Sequence, residues 1–266
     1  MPQSSGMMHL PVKQLHLRAK SLVVKFKQLG GRISYIDEAI DPDREALEVY
    51  PPNHPKSLAP NLAVHIDQCN GHPGATRDIG EAIVLDREAL GLLPRRHPDR
   101  SISLNILAFR LSTRYKQHGA MEDLDEAILL GREILDFHRQ GHPDRSISLN
   151  NLAYHLSTRY KKLGAMEDLD EAIVLDREAL DLLPQGHPDR VVSLNNFAAH
   201  LSTRYNQLGA MADLNEAIVL GQEALDLCPR GHPDRSISLN NFAAYLSTRY
   251  NQLGATQDLD EAIVLD

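Results

Sequence analysis

The sequence predicts an all-α solenoid of helix-turn-helix repeats, and three observations predict it. The tetrapeptide His-Pro-Asp-Arg begins at His97, His142, His187 and His232, each step being 45 residues. Between the blocks starting at His142 and His187, 33 of 45 positions are identical, and a fixed period in the range of about 20–50 residues marks a solenoid, propeller or array. Apolar residues within a block recur in steps of three and four, the spacing of one helical face rather than of a strand. Composition agrees. The apolar content is Leu, Ala, Ile and Val, with no Trp and 5% aromatic residues, which suits close-packed helices better than a β-sandwich.

The period sets the units at 9–53, 54–96, 97–141, 142–186, 187–231 and 232–266, the last one cut short. The unit at 142 shows why each should hold two helices. Pro143 suits a first helical turn, where its missing N–H costs nothing, and Asp144 places negative charge near the positive helix end. Leu149, Leu152, Ala153, Leu156, Tyr160 and Leu163 form the first stripe. Gly164 is a natural C-cap. A second helix opens on Glu167 and Asp168, again suited to the dipole, and its stripe is Leu169, Ala172, Ile173, Ala179, Leu180 and Leu183. Pro184 and Gly186 then stop it. One such hairpin cannot bury its apolar face alone, so neighbours must stack.

Ala172, Ala179-Leu180 and Pro184 carry the small-residue and proline spacing of the second helix of a tetratricopeptide (TPR) repeat, and Leu149, Leu152-Ala153 and Leu156 take the places of that family's first-helix consensus. The chain therefore resembles TPR proteins. Its first helix has Leu where the family has aromatic residues, and the large aromatic of the second helix is replaced by Asp176, with Gly131 and Gly221 in sister units. The strings His142-Pro143-Asp144 and Leu149 to Ala153 resemble kinesin-light-chain repeats. The longer pattern through Leu-Ser-Thr-Arg-Tyr resembles the long TPR arrays of fungal proteins that often precede a caspase-like (CHAT) protease domain. The resemblance implies a right-handed superhelix whose first helices line a concave groove. It implies a protein–protein interaction scaffold that is not an enzyme and that binds a peptide or helix. The alternative it leaves is the regulatory array of a longer caspase-like protease, or a truncated gene remnant.

The ends depart from the pattern. Residues 1–8 are expected to be disordered and 9–96 to form two degenerate repeats, in which Pro42 interrupts a second helix and Pro60 and Pro73 bracket a shortened first helix. The chain stops at Asp266, part-way along a second helix whose Leu259, Ala262 and Ile263 would lie uncovered. That predicts a fragment of a longer protein or a truncated gene model, with self-association through the uncapped helix.

Composition narrows the function. A formal net charge of −8 with no basic stripe argues against nucleic acid as a partner. No run of about 18 apolar residues suggests a membrane span. The start, Met1 to Met8, has no apolar signal-peptide core. Cys69 and Cys228 stand far apart in unlike contexts, so a reducing, cytoplasmic compartment is expected.

The candidate sites follow from the repeat. The four recurrent histidines read as turn residues, because equivalent positions in stacked repeats sit about 10 Å apart whereas zinc needs its ligands at about 2 Å. The acidic clusters, such as Glu122 to Glu126, open each second helix, where the dipole explains them. Arg114, Arg159, Arg204 and Arg249 are expected to pair with them, at little gain if exposed. No catalytic group, cofactor or metal is expected. One polar stripe on the first helices reads as a peptide-binding groove: Asn105, Phe109 and Ser112; Asn150, Tyr154 and Ser157; Asn195 and Ser202; Asn240 and Ser247. An Asn amide both donates and accepts, as gripping an extended backbone requires.

Overall fold

A computed structural model describes residues 76–254, apart from 96, 98 and 99, together with 256–258. The expected disordered start, nearly all of the two degenerate repeats with Pro42, Pro60 and Pro73, and the clipped end at 259–266 lie outside the described residues. Those described are all-α, with no strand among them. The helices are α1 (Thr76–Leu92), α2 (Arg100–His118), α3 (Met121–Phe137), α4 (Arg145–Leu163), α5 (Met166–Asp181), α6 (Arg190–Leu208), α7 (Met211–Asp226) and α8 (Arg235–Leu253). The chain divides into two compact units between Leu130 and Gly131, within α3.

Each first helix, of 19 residues, stops at a glycine. Gly119, Gly164, Gly209 and Gly254 take φ of 68–74°, and each donates its N–H at 2.7 Å to the carbonyl of the preceding repeat Tyr. A Cβ would strain that left-handed turn.

In the first unit, Ile79 and Ile83 of α1 pack with Leu107, Ala108 and Leu111 of α2 and with Ala127 of α3. In the second unit, α4 packs on α5, α5 on α6, α6 on α7 and α7 on α8. Leu169, Leu194, Phe197, Ala198, Leu201, Leu214, Ala217 and Leu246 form its continuous core. The recurrent Ala82, Ala127, Ala172 and Ala217 are fully buried. Their small size lets helix backbones approach closely.

Leu149, Leu152, Ala153, Leu156 and Tyr160 are buried as the stripe predicts. Leu163 is instead exposed, as are Leu208 and Leu253 in its place. One residue before the cap, the helix has run past its neighbour and no described element covers that side.

Candidate binding face and the seams that position it

The arginine of His-Pro-Asp-Arg holds the repeats in line. Arg145 donates from Nη1 to the carbonyl of His138 at 2.7 Å, at the end of α3. Its Nη2 lies 2.6 Å from Glu178 of α5. Arg190 does the same with Leu183 and Glu223, and Arg100 and Arg235 reach the carbonyls of Leu93 and Cys228. Each supplies a donor to carbonyls that a helix C-terminus leaves unpaired, with the charge sign the dipole favours there. The histidine of the motif works beside it. Nδ1 of His142, His187 and His232 accepts the backbone N–H two residues on, at 3.2 Å. Asp144, Asp189 and Asp234 make no side-chain capping bond, so their contribution at the helix start is charge alone.

The second-helix acids have a more specific role than dipole and solvation. Asp123, Asp168, Asp213 and Asp258 are buried. Each receives two bonds from the arginine nine residues earlier, at 2.5–2.8 Å. The pairing expected from sequence forms, but as a fork closing the hairpin around a buried carboxylate. A guanidinium fits a carboxylate in that bidentate way. The Arg249 fork holds the Asp258 carboxyl below the ordinary carboxylate range.

Between repeats, one second-helix position faces one position of the next first helix, and the pair changes along the chain. In the first unit, Asp86 meets Arg110 at 2.8 Å, both buried. In the second unit, Asp176 meets His200 Nδ1 at 2.5 Å, and burial pushes the Asp176 carboxyl up. At Gly221 an added Cβ would stand 3.2 Å from Phe242 and 3.3 Å from Tyr245. The absence of the second-helix aromatic expected from the resemblance thus has a reason. The bulk or charge comes from the partner helix.

The ten groove residues separate by burial. Phe109 and Tyr154 stand exposed, as does Asn240. Ser112 and Ser157 are buried, and Ser157 donates to the carbonyl of Tyr154. Ser202 and Ser247 are half-buried. Asn105 donates to the carbonyl of Ser101 in its own helix. Asn150 donates to Ser193 Oγ at 2.6 Å and Asn195 to Ser238 Oγ at 2.9 Å, each reaching the first helix of the next repeat. These two amides tie the seam.

The exposed face lies a fraction of a turn away. Ile102, Ile147, Val192 and Ile237 are 45–54% exposed and recur once per repeat. In the second unit, α4 and α8 both contact α6. Ile147, Asn151 and Tyr154 of α4, Val192 and Asn196 of α6, and Ile237 and Asn241 of α8 therefore form one apolar surface threaded with amides. Sequence reasoning passed over Ile147, Val192 and Ile237, which look like core residues. Their signal was the shift from i to i+7 that pairs Ile147 with Tyr154.

Elsewhere, His138, His142 and Asp144 bring three potential metal ligands together. Among the described residues no helix is long and apolar enough to cross a membrane.

A family model for the tetratricopeptide repeat matches residues 102–144. Among solved structures, the chain is similar to the nearly identical TPR-like repeats of a Podosopora anserina kinesin light chain, with 23% identity and a TM-score of 0.56 over 80% of this chain and 96% of that one. A point variant of the same repeats matches at 22% identity and a TM-score of 0.56, with the same shares covered. BtubC from P. vanneervenii matches over 96% of this chain and 91% of that one, at 15% identity and a TM-score of 0.49. No curated protein matches. At these identities the structural likeness is one of fold.

Proposed function

We propose that this tetratricopeptide-repeat chain is a protein-interaction scaffold whose first-helix face binds an extended peptide or a short helix. The observation that carries the reading is the recurrence of one exposed apolar residue per repeat on that face of the second unit, Ile147, Val192 and Ile237, with Tyr154 beside Ile147 at 38% exposure. Covering the exposed half of each aliphatic side chain would contribute about 0.7–1.5 kcal/mol before ordering costs. Asn151, Asn196 and Asn241 stand between them and can meet a ligand's backbone amides. The second helices also expose Val84, Leu129, Val174 and Val219. Beside those, Arg132–Glu171 and Arg177–Glu216 pairs run from repeat to repeat at 2.7–2.8 Å. Single apolar residues among locked ion pairs are ordinary surface.

The test is selection of peptides from a random library on the full chain, followed by fluorescence anisotropy. Ile147→Glu with Tyr154→Glu should abolish binding of the selected peptide and leave the far-UV spectrum unchanged. Val174→Glu with Val219→Glu should leave binding intact. The reverse pattern would move the site to the second helices and reject this reading.

A further inference from the structure

We propose that His138, His142 and Asp144 form a site for one divalent transition-metal ion of the zinc class, at the turn entering α4. Each offers a ligand atom, and the three atoms lie within 4.8 Å of one another. Two imidazoles and a carboxylate suit zinc, cobalt or nickel, whereas magnesium and calcium take oxygen-rich sets.

The turn differs from its sisters at Phe137, His138 and Arg139, where they carry Leu, then Leu or Cys, then Pro. The His-x-Asp pair recurs at His187 and Asp189 and at His232 and Asp234, but the place of His138 is taken by Leu93, Leu183 and Cys228 in the other units. The third ligand therefore belongs to this turn alone, and the repeat does not explain it. His138 is buried, and its Nδ1 lies 2.7 Å from Ser148 Oγ. The Ser148 hydroxyl donates to the Asp144 carbonyl at 3.0 Å. In the Nδ1–H tautomer, His138 donates to Oγ and its Nε2 lone pair is left for an ion. A fixed outer partner on one ring nitrogen is the usual support of a metal-bound histidine.

His142 is half-buried and stacks on His138, with ring centroids 4.1 Å apart and planes within 10°. His142 Nδ1 accepts the Asp144 N–H in the absence of an ion, so to offer a lone pair the ring would have to give up that bond and swing out of the stack. The turn allows this, because Pro143 and Asp144 beside it are exposed. Asp144 would supply the charge, and water or a partner's side chain would fill the remaining position.

The experiment is calorimetric titration of the chelator-treated full chain with Zn²⁺, repeated with Co²⁺ for its visible ligand-field bands. One saturable equivalent is expected. His138→Leu, which installs the residue of two sister units, should abolish it. Asp144→Asn should weaken it, and Ser148→Ala should weaken it by about tenfold or more. His187→Ala should change nothing. A titration without a saturable event would overturn the site. So would equal binding by His138→Leu or Asp144→Asn and wild type, which would mark adventitious ions on scattered histidines.

Discussion

Exchanging the Asp176–His200 seam for the Gly221–Tyr245 seam tests whether these positions form a code. Asp176 is fully buried, with Oδ2 on His200 and Oδ1 without a hydrogen-bond partner. His200→Tyr alone removes the group that holds that carboxylate, and breaking a buried pair from one side costs about 3–5 kcal/mol. Asp176→Gly alone costs about 0.3–0.5 kcal/mol in helix propensity, plus about 1–3 kcal/mol for a buried imidazole left without its acceptor. Independent effects would sum to about 4–9 kcal/mol, enough to unfold a domain of ordinary stability. The double variant recreates a pair the chain already contains. Phe197, the counterpart of Phe242, is already buried at that seam. Only the glycine's helix cost should remain, so the double variant should lie within about 2 kcal/mol of wild type. Urea unfolding of the four proteins, followed by far-UV circular dichroism, gives the coupling directly. Additive losses would refute the pairing.

Further outcomes follow from the same geometry. Gly221→Ala should destabilise by about 1–3 kcal/mol, because its Cβ meets two aromatic rings. Gly131→Ala should fall within about 1 kcal/mol of wild type in the same urea assay: its Cβ meets Leu152 Cδ1 at 3.0 Å, a movable side-chain end, and alanine favours the helix. Arg159→Ala leaves the buried Asp168 unpaired and should lower urea stability by about 3 kcal/mol, while Asn150→Ala and Asn195→Ala should each cost about 1 kcal/mol for a lost seam bond. The depressed His138 imidazole means the unfolded chain binds its proton more readily. Stability from this group is then complete above about pH 6.5 and is lost as pH falls below it, so thermal melts from pH 7.5 to 5 should show a drop that His138→Leu reduces.

The helices were legible because their signals are local and copied four times. Gly164 stops α4 by its own backbone freedom, and the spacing of Leu149, Leu152 and Leu156 needs no knowledge of the partner. Asn150 was harder. Its spacing places it on the first helix beside the apolar stripe, but whether it meets a ligand or Ser193 depends on how the next repeat is rotated, which no single repeat encodes. The Arg159 pairing was legible, but not that it would fork around a buried Asp168, because burial depends on how the hairpin closes. His138 was invisible for the opposite reason. Attention to the period favours what recurs, and this histidine occurs once.

Repeats this alike carry a hazard that the seams address. With 33 of 45 positions shared by two successive units, the apolar stripes alone would let a hairpin dock on the wrong neighbour, in the same chain or another. The variable pairs oppose that. If α8 docked against α5 in place of α6, the Asp176 carboxylate would face Tyr245 and keep no cation. That error strands a buried polar group, at a cost comparable to a large core mutation. The common residues therefore build the solenoid, and the few that differ fix the order of its parts.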